Sequence, residues 1–389
     1  MSSGAELPAV HEDGDAHFLT EIRAFLAQEL SEDLRQAGRR TTGFHTEIAA
    51  ARKWHTRLYR RGWIAPGWPR EYGGCGWSVR RRFLFEQECA RNDAPIIFGT
   101  GIRSIGPLMI AAGTAAQKAR FLEPILSGED LWCQGFSEPG AGSDLAALTT
   151  RADIEGDFYV VTGRKIWTTG AHLANRMFAL VRTARAERPQ EGITFLLIDM
   201  DSPGLTVLPV VTIDGEHDFN EVVFENVRVP IANRIGEENH GWAMAKQLMR
   251  FARSNNTTTG SLRRAWRLLE REVARCQPGP DFALRMTEVS IALTAMESLE
   301  LHLLSAGRLD GEDEMASSLM KTTATELHQK IAELALEASG PLARGSEHGA
   351  SGAPQMPLAT RKYFATRAAT IYSGTNEIHR NIMARHLRQ

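Results

Sequence analysis

The sequence predicts an α+β protein that is mostly α, ordered as helices, then strands, then helices. Three observations predict it. Apolar residues recur at helical spacing from residue 17 to about 128. From 129 to 239 the pattern changes to short β-branched and aromatic runs bounded by Gly, Pro and Asp. From 240 to 389 helical spacing returns. These changes divide the chain into a frayed 1–16, a helical 17–128, a strand-rich 129–239 and a helical 240–389.

In "HFLTEIRAFLAQEL", residues Phe18, Ile22, Phe25, Leu26 and Leu30 share one helical face. "RRRFLFEQECARND" and "AQKARFLEPILSGE" repeat that pattern, and "PGWPREYGGCGWS" between them is a structured loop rich in Gly, Pro and Trp. "GDFYVVTGRKIWTTG", "RMFALVRTA", "GITFLLIDM", "LTVLPVV" and "NEVVFENVRVP" read as strands of a small β-barrel or sandwich. Asp157 and Gly163 bracket one hairpin strand in this reading. Residues 241 to 276 read as one long amphipathic stretch, broken by "QPGP" at 277–280. Two more helical stretches follow. "GAPQMP" at 352–357 is a turn, and a last helical segment from Tyr363 to Arg388 is interrupted near Gly374.

Composition narrows the function. A net charge of −2, with 43% hydrophobic and 24% charged residues, gives no reason to expect nucleic acid or an anionic membrane as partner. Cysteines 75, 89, 133 and 276 lack CxxC spacing, so neither a redox pair nor a metal site is expected. With no charged-then-apolar leader and no membrane-spanning apolar run, a cytoplasmic protein is expected.

Three motifs carry chemistry. "WCQGFSEPGAGSDLAALTTRA" (132–152) has Gly and Pro that let backbone approach a ligand, followed by Ser143 and Asp144. It lacks the spacing of a dinucleotide loop and the Lys of a P-loop, so by itself it also reads as a plain Gly-rich turn. "GRKIWTTGAHLANRMFALVRT" (163–183) places Trp167, Thr168 and Thr169 at a strand end. An aromatic beside hydroxyls suits a planar, hydrogen-bonding ring system, and equally a barrel core. "ATIYSGTNEIHRNIMARHL" (369–387) is a helix broken at Ser-Gly-Thr. Such a break exposes backbone groups of the kind that bind ligand oxygens, or is a simple helix junction.

Taken together, in this order and at these intervals, the motifs resemble the acyl-CoA dehydrogenase family. The resemblance runs from about Phe18 to Arg388 and includes "WIAPGWPREYGGCGWS" and "FNEVVFENVRVPIANRIGEENHGWAMAKQLM". It implies an N-terminal helical domain, a central β-barrel and a C-terminal four-helix bundle, with FAD between barrel and bundle and reaching a neighbouring subunit. By similarity, Phe136, Ser137, Gly142 and Ser143 line the flavin and substrate site. Trp167 and Thr169 contact the isoalloxazine, and Thr375 and Glu377 approach the FAD phosphates and adenosine. Arg253 matches a residue near the CoA end of the channel, with Tyr372 and Gly374 beside the substrate. The family reaction is α,β-dehydrogenation of an acyl-CoA thioester, with an electron-transfer flavoprotein or similar acceptor and a homo- or hetero-oligomer built as a dimer of dimers.

That reaction needs a carboxylate base for the α-proton and a site for the developing enolate oxygen. Many relatives place a Glu directly before the Gly-Thr of the last motif, where this chain has Ser373. Others place it directly before the Arg that matches Arg253, where this chain has Ala252. Both base positions are empty, whereas a backbone N–H at Ser373 still suits a thioester oxygen. The Arg-x-x-Phe-Gly stretch that holds a neighbour's FAD in homotetramers is missing from "REVARCQPGPDFALRMTEVS". In both respects the chain is similar to a bacterial subgroup that includes heterotetrameric enzymes of steroid side-chain breakdown, in which one subunit type lacks the base. Three readings follow: a base-deficient subunit of a heteromer, a stand-alone dehydrogenase with a relocated base, or other flavin chemistry, as oxidase or monooxygenase. His379 is expected to be an ordinary interface histidine.

Overall fold

The computed structural model describes residues 14–253, 259–309, 313–348 and 354–388. Six helices come first: α1 (Asp15–Glu29), α2 (Glu32–Arg40), α3 (Ile48–Arg61), α4 (Val79–Arg91), α5 (Gly106–Ala112) and α6 (Ala115–Ser127). Thr114 begins α6 with a reciprocal capping box: its hydroxyl accepts from Gln117 N–H, and the Gln117 side chain accepts from Thr114 N–H. The same Gln117 amide donates to the carbonyls of Ala232 and Arg234, so one side chain both starts the helix and ties it to the next layer.

Eight strands follow: β1 (Trp132–Gly135), β2 (Arg151–Glu155), β3 (Phe158–Lys165), β4 (Arg176–Arg182), β5 (Ile193–Asp199), β6 (Leu205–Val210), β7 (Phe219–Pro230) and β8 (Arg234–Ile235). They form one sheet in the order β6-β7-β3-β2-β4-β5-β8, with β1 parallel to β4. Strand alternation serves two cores at once. Met177, Ala179 and Val181 of β4 and Leu196 and Ile198 of β5 face the same cluster as Tyr159, Val161, Val222 and Phe224 from β3 and β7. The sheet is therefore curled around its own interior. The alternate residues Phe178, Leu180, Phe195 and Leu197 pack into the helical core with Ile22, Trp54 and Ile105. Burial on both faces explains why β4 and β5 read as unbroken apolar runs.

The chain then forms α7 (Gly241–Arg253), α8 (Thr259–Cys276), α9 (Pro280–Ser305), α10 (Glu314–Ser339), α11 (Leu358–Arg367) and α12 (Asn376–Leu387), with a two-residue strand pair, β9 (Glu347–His348) and β10 (Pro354–Gln355), before α11. Leu269, Leu293, Ala324 and Ile331 center the core of α8, α9 and α10. Within 241–276, α7 packs through Ala245 and Leu248 into the core shared by the first helices and the outer face of the sheet, while α8 packs in the bundle; residues 254–258 lie outside the described residues. The first thirteen residues and part of the 352–357 turn lie outside the described residues.

Gly163 lies inside β3 rather than at its end. The register with β7 shifts between Val161 and Gly163, a bulge. Gly163 has φ +152°, and a Cβ there would lie 2.6 Å from Thr150 Cα. Glycine is needed because two backbones meet. Gly163→Ala is expected to lower stability by about 1–3 kcal/mol, through overpacking against main chain that has little freedom to retreat. Urea unfolding followed by far-UV circular dichroism measures it.

Candidate active site

The Gly-rich loop after β1 is held by a buried ion pair. Lys165 Nζ, at the end of β3, donates to Glu138 Oε1 at 2.7 Å and to the Phe136 carbonyl at 3.2 Å. The same carboxylate accepts from Thr149 N–H, Thr149 Oγ1 and Thr150 N–H. Burial alone would push Glu138 up, but Lys165 and these donors outweigh it and hold the carboxyl at about 2. Burial pulls Lys165 down to about 8 against the attraction of Glu138, so the pair is ionised at neutral pH. Its consequence is local: Glu138 and Ala141 exchange backbone hydrogen bonds, and Gly142 and Ser143 are left exposed at the loop's tip. A Cβ built on Gly142 meets nothing within 4 Å. Ser137 accepts from Ile166 N–H, which sets this loop beside the strand end that bears Trp167. The Phe136 ring turns inward against Phe178 and Phe195.

Trp167 is 56% exposed and has φ +59°, a left-handed conformation that bulky residues rarely adopt. The residues on either side hold it there. Ile166 is bonded to Ser137, and Thr168 exchanges backbone N–H and carbonyl bonds with Asn220, which is wholly buried. The Asn220 amide donates again to the Thr168 carbonyl and to His172 Nδ1, and its oxygen accepts from His217 Nε2. Thr169 follows, half-buried.

The C-terminal motif forms a rigid break between α11 and α12. Ser373 (φ +56°) and Gly374 (φ +89°) are successive left-handed residues, and both are exposed. Their carbonyls turn inward to separate donors. His379 Nε2 donates to the Ser373 carbonyl at 3.1 Å, which leaves Nδ1 to accept from the Ser318 hydroxyl of α10 at 3.0 Å. Lys321 Nζ, also of α10, donates to the Gly374 carbonyl at 2.8 Å and to Asn376 Oδ1 at 2.7 Å. Burial lowers Lys321 to about 8. Thr375 caps α12 by accepting from Ile378 N–H, and Glu377 stands exposed in its first turn, its carboxyl lowered by backbone N–H donation and the Thr375 hydroxyl. His379 is wholly buried beneath the break, an interior support rather than an interface residue.

Aromatic rings join the two halves. Trp167 meets Phe219 with centroids 5.9 Å apart, Phe219 meets Phe44 at 5.7 Å, and Phe44 meets Tyr372 at 4.9 Å. The sheet end and the C-terminal break thus face one junction. Ala252 and Arg253 close α7, and their side chains lie outside the described residues. Sequence reasoning missed Glu138, Lys165, Asn220, Lys321 and Phe44. A buried-pair signal was available only as a Glu inside the first motif and a Lys inside the second. Among the described residues no group of His, Cys, Asp and Glu is arranged to hold a metal, and no helix is long and apolar enough to cross a membrane.

A helical layer, a curled sheet and a helical bundle in this order define an acyl-CoA dehydrogenase-type fold. The chain belongs to the acyl-CoA dehydrogenase family: the models of that family's N-terminal, middle and C-terminal domains match residues 13–129, 133–227 and 239–388. The family comprises oxidoreductases that act on the CH–CH group of acyl-CoA thioesters. The chain is 36% identical over 380 residues to acyl-CoA dehydrogenase IpdE1 of Mycobacterium tuberculosis, covering 94% of this chain and 95% of that one. Among solved structures it is similar to the ChsE4-ChsE5 complex from Mycobacterium tuberculosis, at 29% identity and TM-score 0.81 over 97% of this chain and 98% of that one. It is also similar to the Tcur3481-Tcur3483 steroid ACAD, at 28% identity and TM-score 0.83, with 97% and 98% covered.

The ion pair makes a pH-dependent prediction. Glu138 sits below its unfolded value of 4.5, so its stabilisation is present above that value and is lost as pH falls toward about 2. Glu138→Gln is expected to cost about 3–5 kcal/mol at pH 7, because it strands the Lys165 ammonium. The gap to the parent should narrow below about pH 4, where the carboxyl of the unfolded parent takes up a proton while the native one is still ionised. Guanidinium unfolding at pH 7 and pH 3 measures both.

Proposed function

We propose that this chain is the base-deficient subunit of a heteromeric, FAD-dependent acyl-CoA dehydrogenase, and that a second chain supplies the carboxylate. The observation that carries the reading is the break at Ser373. Two left-handed residues are kept in place by His379 and Lys321, yet the side chain at the base position is a hydroxymethyl group. Left-handed backbone at a non-glycine residue costs about 1–3 kcal/mol and persists where its surroundings over-determine it. A backbone so held, without the acid, suits receiving a thioester oxygen more than removing a proton. A neutral serine hydroxyl does not take up an α-proton as a carboxylate does.

The residues present fit FAD. The exposed Trp167 indole offers a flat face beside the Thr169 hydroxyl, and the loop at Gly142 and Ser143 has open space above it. When bound, FAD supplies the hydride acceptor. The chain's own residues do the rest. Trp167 and Thr169 hold the ring, with Phe136 and Ser137 behind it, while Ser143, Tyr372 and Gly374 orient the thioester. Thr375 and Glu377 lie toward the phosphates and adenosine, and Arg253 toward CoA. An electron-transfer flavoprotein or similar acceptor then reoxidises the complex. Two similar solved structures, the ChsE4-ChsE5 complex and the Tcur3481-Tcur3483 steroid ACAD, are each named for two components, which agrees with a partner chain.

One observation favours a second reading, a stand-alone enzyme with a base on the bundle. Glu300 of α9 is buried, and desolvation raises its carboxyl to about 7, a range suited to proton abstraction. Against it, the carboxylate already accepts from Thr259 N–H and Oγ1 at the start of α8.

Purification with and without the chain encoded beside it, followed by anaerobic addition of acyl-CoA, separates the two. Bleaching of bound flavin is expected only in the complex, and the complex should be insensitive to Glu300→Gln. Flavin reduction by the lone chain, abolished by Glu300→Gln, would establish the second reading instead. Installing the acid by Ser373→Glu should raise acyl-CoA-dependent flavin reduction by about 10²–10⁴, the usual contribution of a general base.

A further inference from the structure

The loop between α2 and α3 crosses the junction of all three layers. Its ends are pinned within the helical layer. Thr41 and Thr46 share a hydroxyl–hydroxyl bond of 2.6 Å, Thr46 N–H donates to the Ile96 carbonyl, and Ile96 N–H donates to Thr46 Oγ1. Its tip leaves that layer. Lys362 Nζ of α11 donates to the Thr42 carbonyl at 3.0 Å. Gly43 lies against the Asp218 carboxylate just before β7: a Cβ there would be 1.9 Å from Asp218 Oδ2, so a side chain at 43 would require that carboxylate to move. The next residue, Phe44, is 39% exposed and takes no part in the buried clusters. Its ring stands edge-on to Phe219, which contacts Trp167, and edge-on to Tyr372, which precedes Ser373.

We infer that Phe44 is a specificity-determining residue: its ring forms the wall that limits the size of the acyl group admitted beside Ser373. The inference rests on the acyl-CoA reading above. With the flavin ring on the Trp167 face and the thioester at the break, as proposed above, the acyl group runs beside Tyr372, and Phe44 is the ring packed edge-on against Tyr372. The main chain on both sides of Phe44 is held, by the Thr46–Ile96 bonds on one side and by Lys362 on the Thr42 carbonyl on the other, so the loop that carries the ring is fixed. The edge-on contacts with Phe219 and Tyr372 set the ring's preferred orientation. Removing the ring leaves a ring-sized space beside Tyr372, and enlarging it fills that space. Pocket walls discriminate by about 10- to 200-fold for small changes in apolar bulk.

The test measures dissociation constants of butyryl-CoA, 1-naphthylacetyl-CoA and free CoA by calorimetry. It uses the flavin-loaded protein, together with its partner chain where flavin retention requires it. Phe44→Ala should shift the ratio of naphthylacetyl-CoA to butyryl-CoA affinity toward the bulky group by about tenfold or more. Phe44→Trp should shift it the other way, and free CoA should bind all three proteins alike. A ratio that both variants leave unchanged would overturn the assignment, and equal weakening of both acyl-CoAs would assign Phe44 a purely structural role. If the parent binds neither acyl-CoA more tightly than free CoA, the functional reading fails and this one with it.

Discussion

Two side chains of the bundle, Lys321 and His379, determine what the C-terminal motif can do. Each captures one carbonyl of the Ser373–Gly374 pair from below. A chain that turns through two left-handed residues before α12 has to send their carbonyls somewhere, and buried carbonyls without donors are costly. With both satisfied, the main chain at Ser373 is fixed whatever side chain stands there. Gly374 completes the arrangement: at φ +89° its Cβ would lie 3.0 Å from the His379 ring. The break is therefore a property of the scaffold, and the acid that relatives carry on it is separable from it. That separability lets a family member keep the geometry of the site while its chemistry moves to another chain.

The opposite wall obeys the same logic. Glu138 and Lys165 fix the Gly-rich loop against β3, and Asn220 fixes Thr168 against β7, so Trp167 is displayed in a strained conformation by neighbours that are themselves buried. Such strain is stable only where several contacts oppose its release. Phe44 then closes the gap between the walls from the helical layer. All three layers contribute an element to one junction, which is why the proposed site lies at their meeting point rather than within any of them.

Much of the fold was legible because its elements are locally consistent. The periodicity of Phe18, Ile22, Phe25 and Leu26, the apolar runs of β4 and β5 and the stop at "QPGP" all match the structure. The misreadings have physical causes. Gly163 looked like a strand end because an interior Gly usually weakens a strand, whereas here a bulge needs it. His379 read as an interface residue because helical spacing does not show that Ser318 of α10 covers it. In the site, motif residues were visible, but their supports were not. Lys165 and Glu138 are 27 residues apart, and Lys321 and Gly374 are 53 apart. Nothing in local sequence pairs them; the fold does. Phe44 sits in an unremarkable loop and gains meaning only from what the sheet and the break place around it.

The central claim is that this chain holds a thioester without deprotonating it. Incubation of the purified chain with octanoyl-CoA in D₂O, with binding measured in the same sample and deuterium at the α-carbon followed by mass spectrometry, tests that claim most directly. The account predicts binding with no deuterium incorporation above the buffer control, and incorporation once the partner chain is added. Incorporation by the lone chain would show that it carries its own base and would contradict the account.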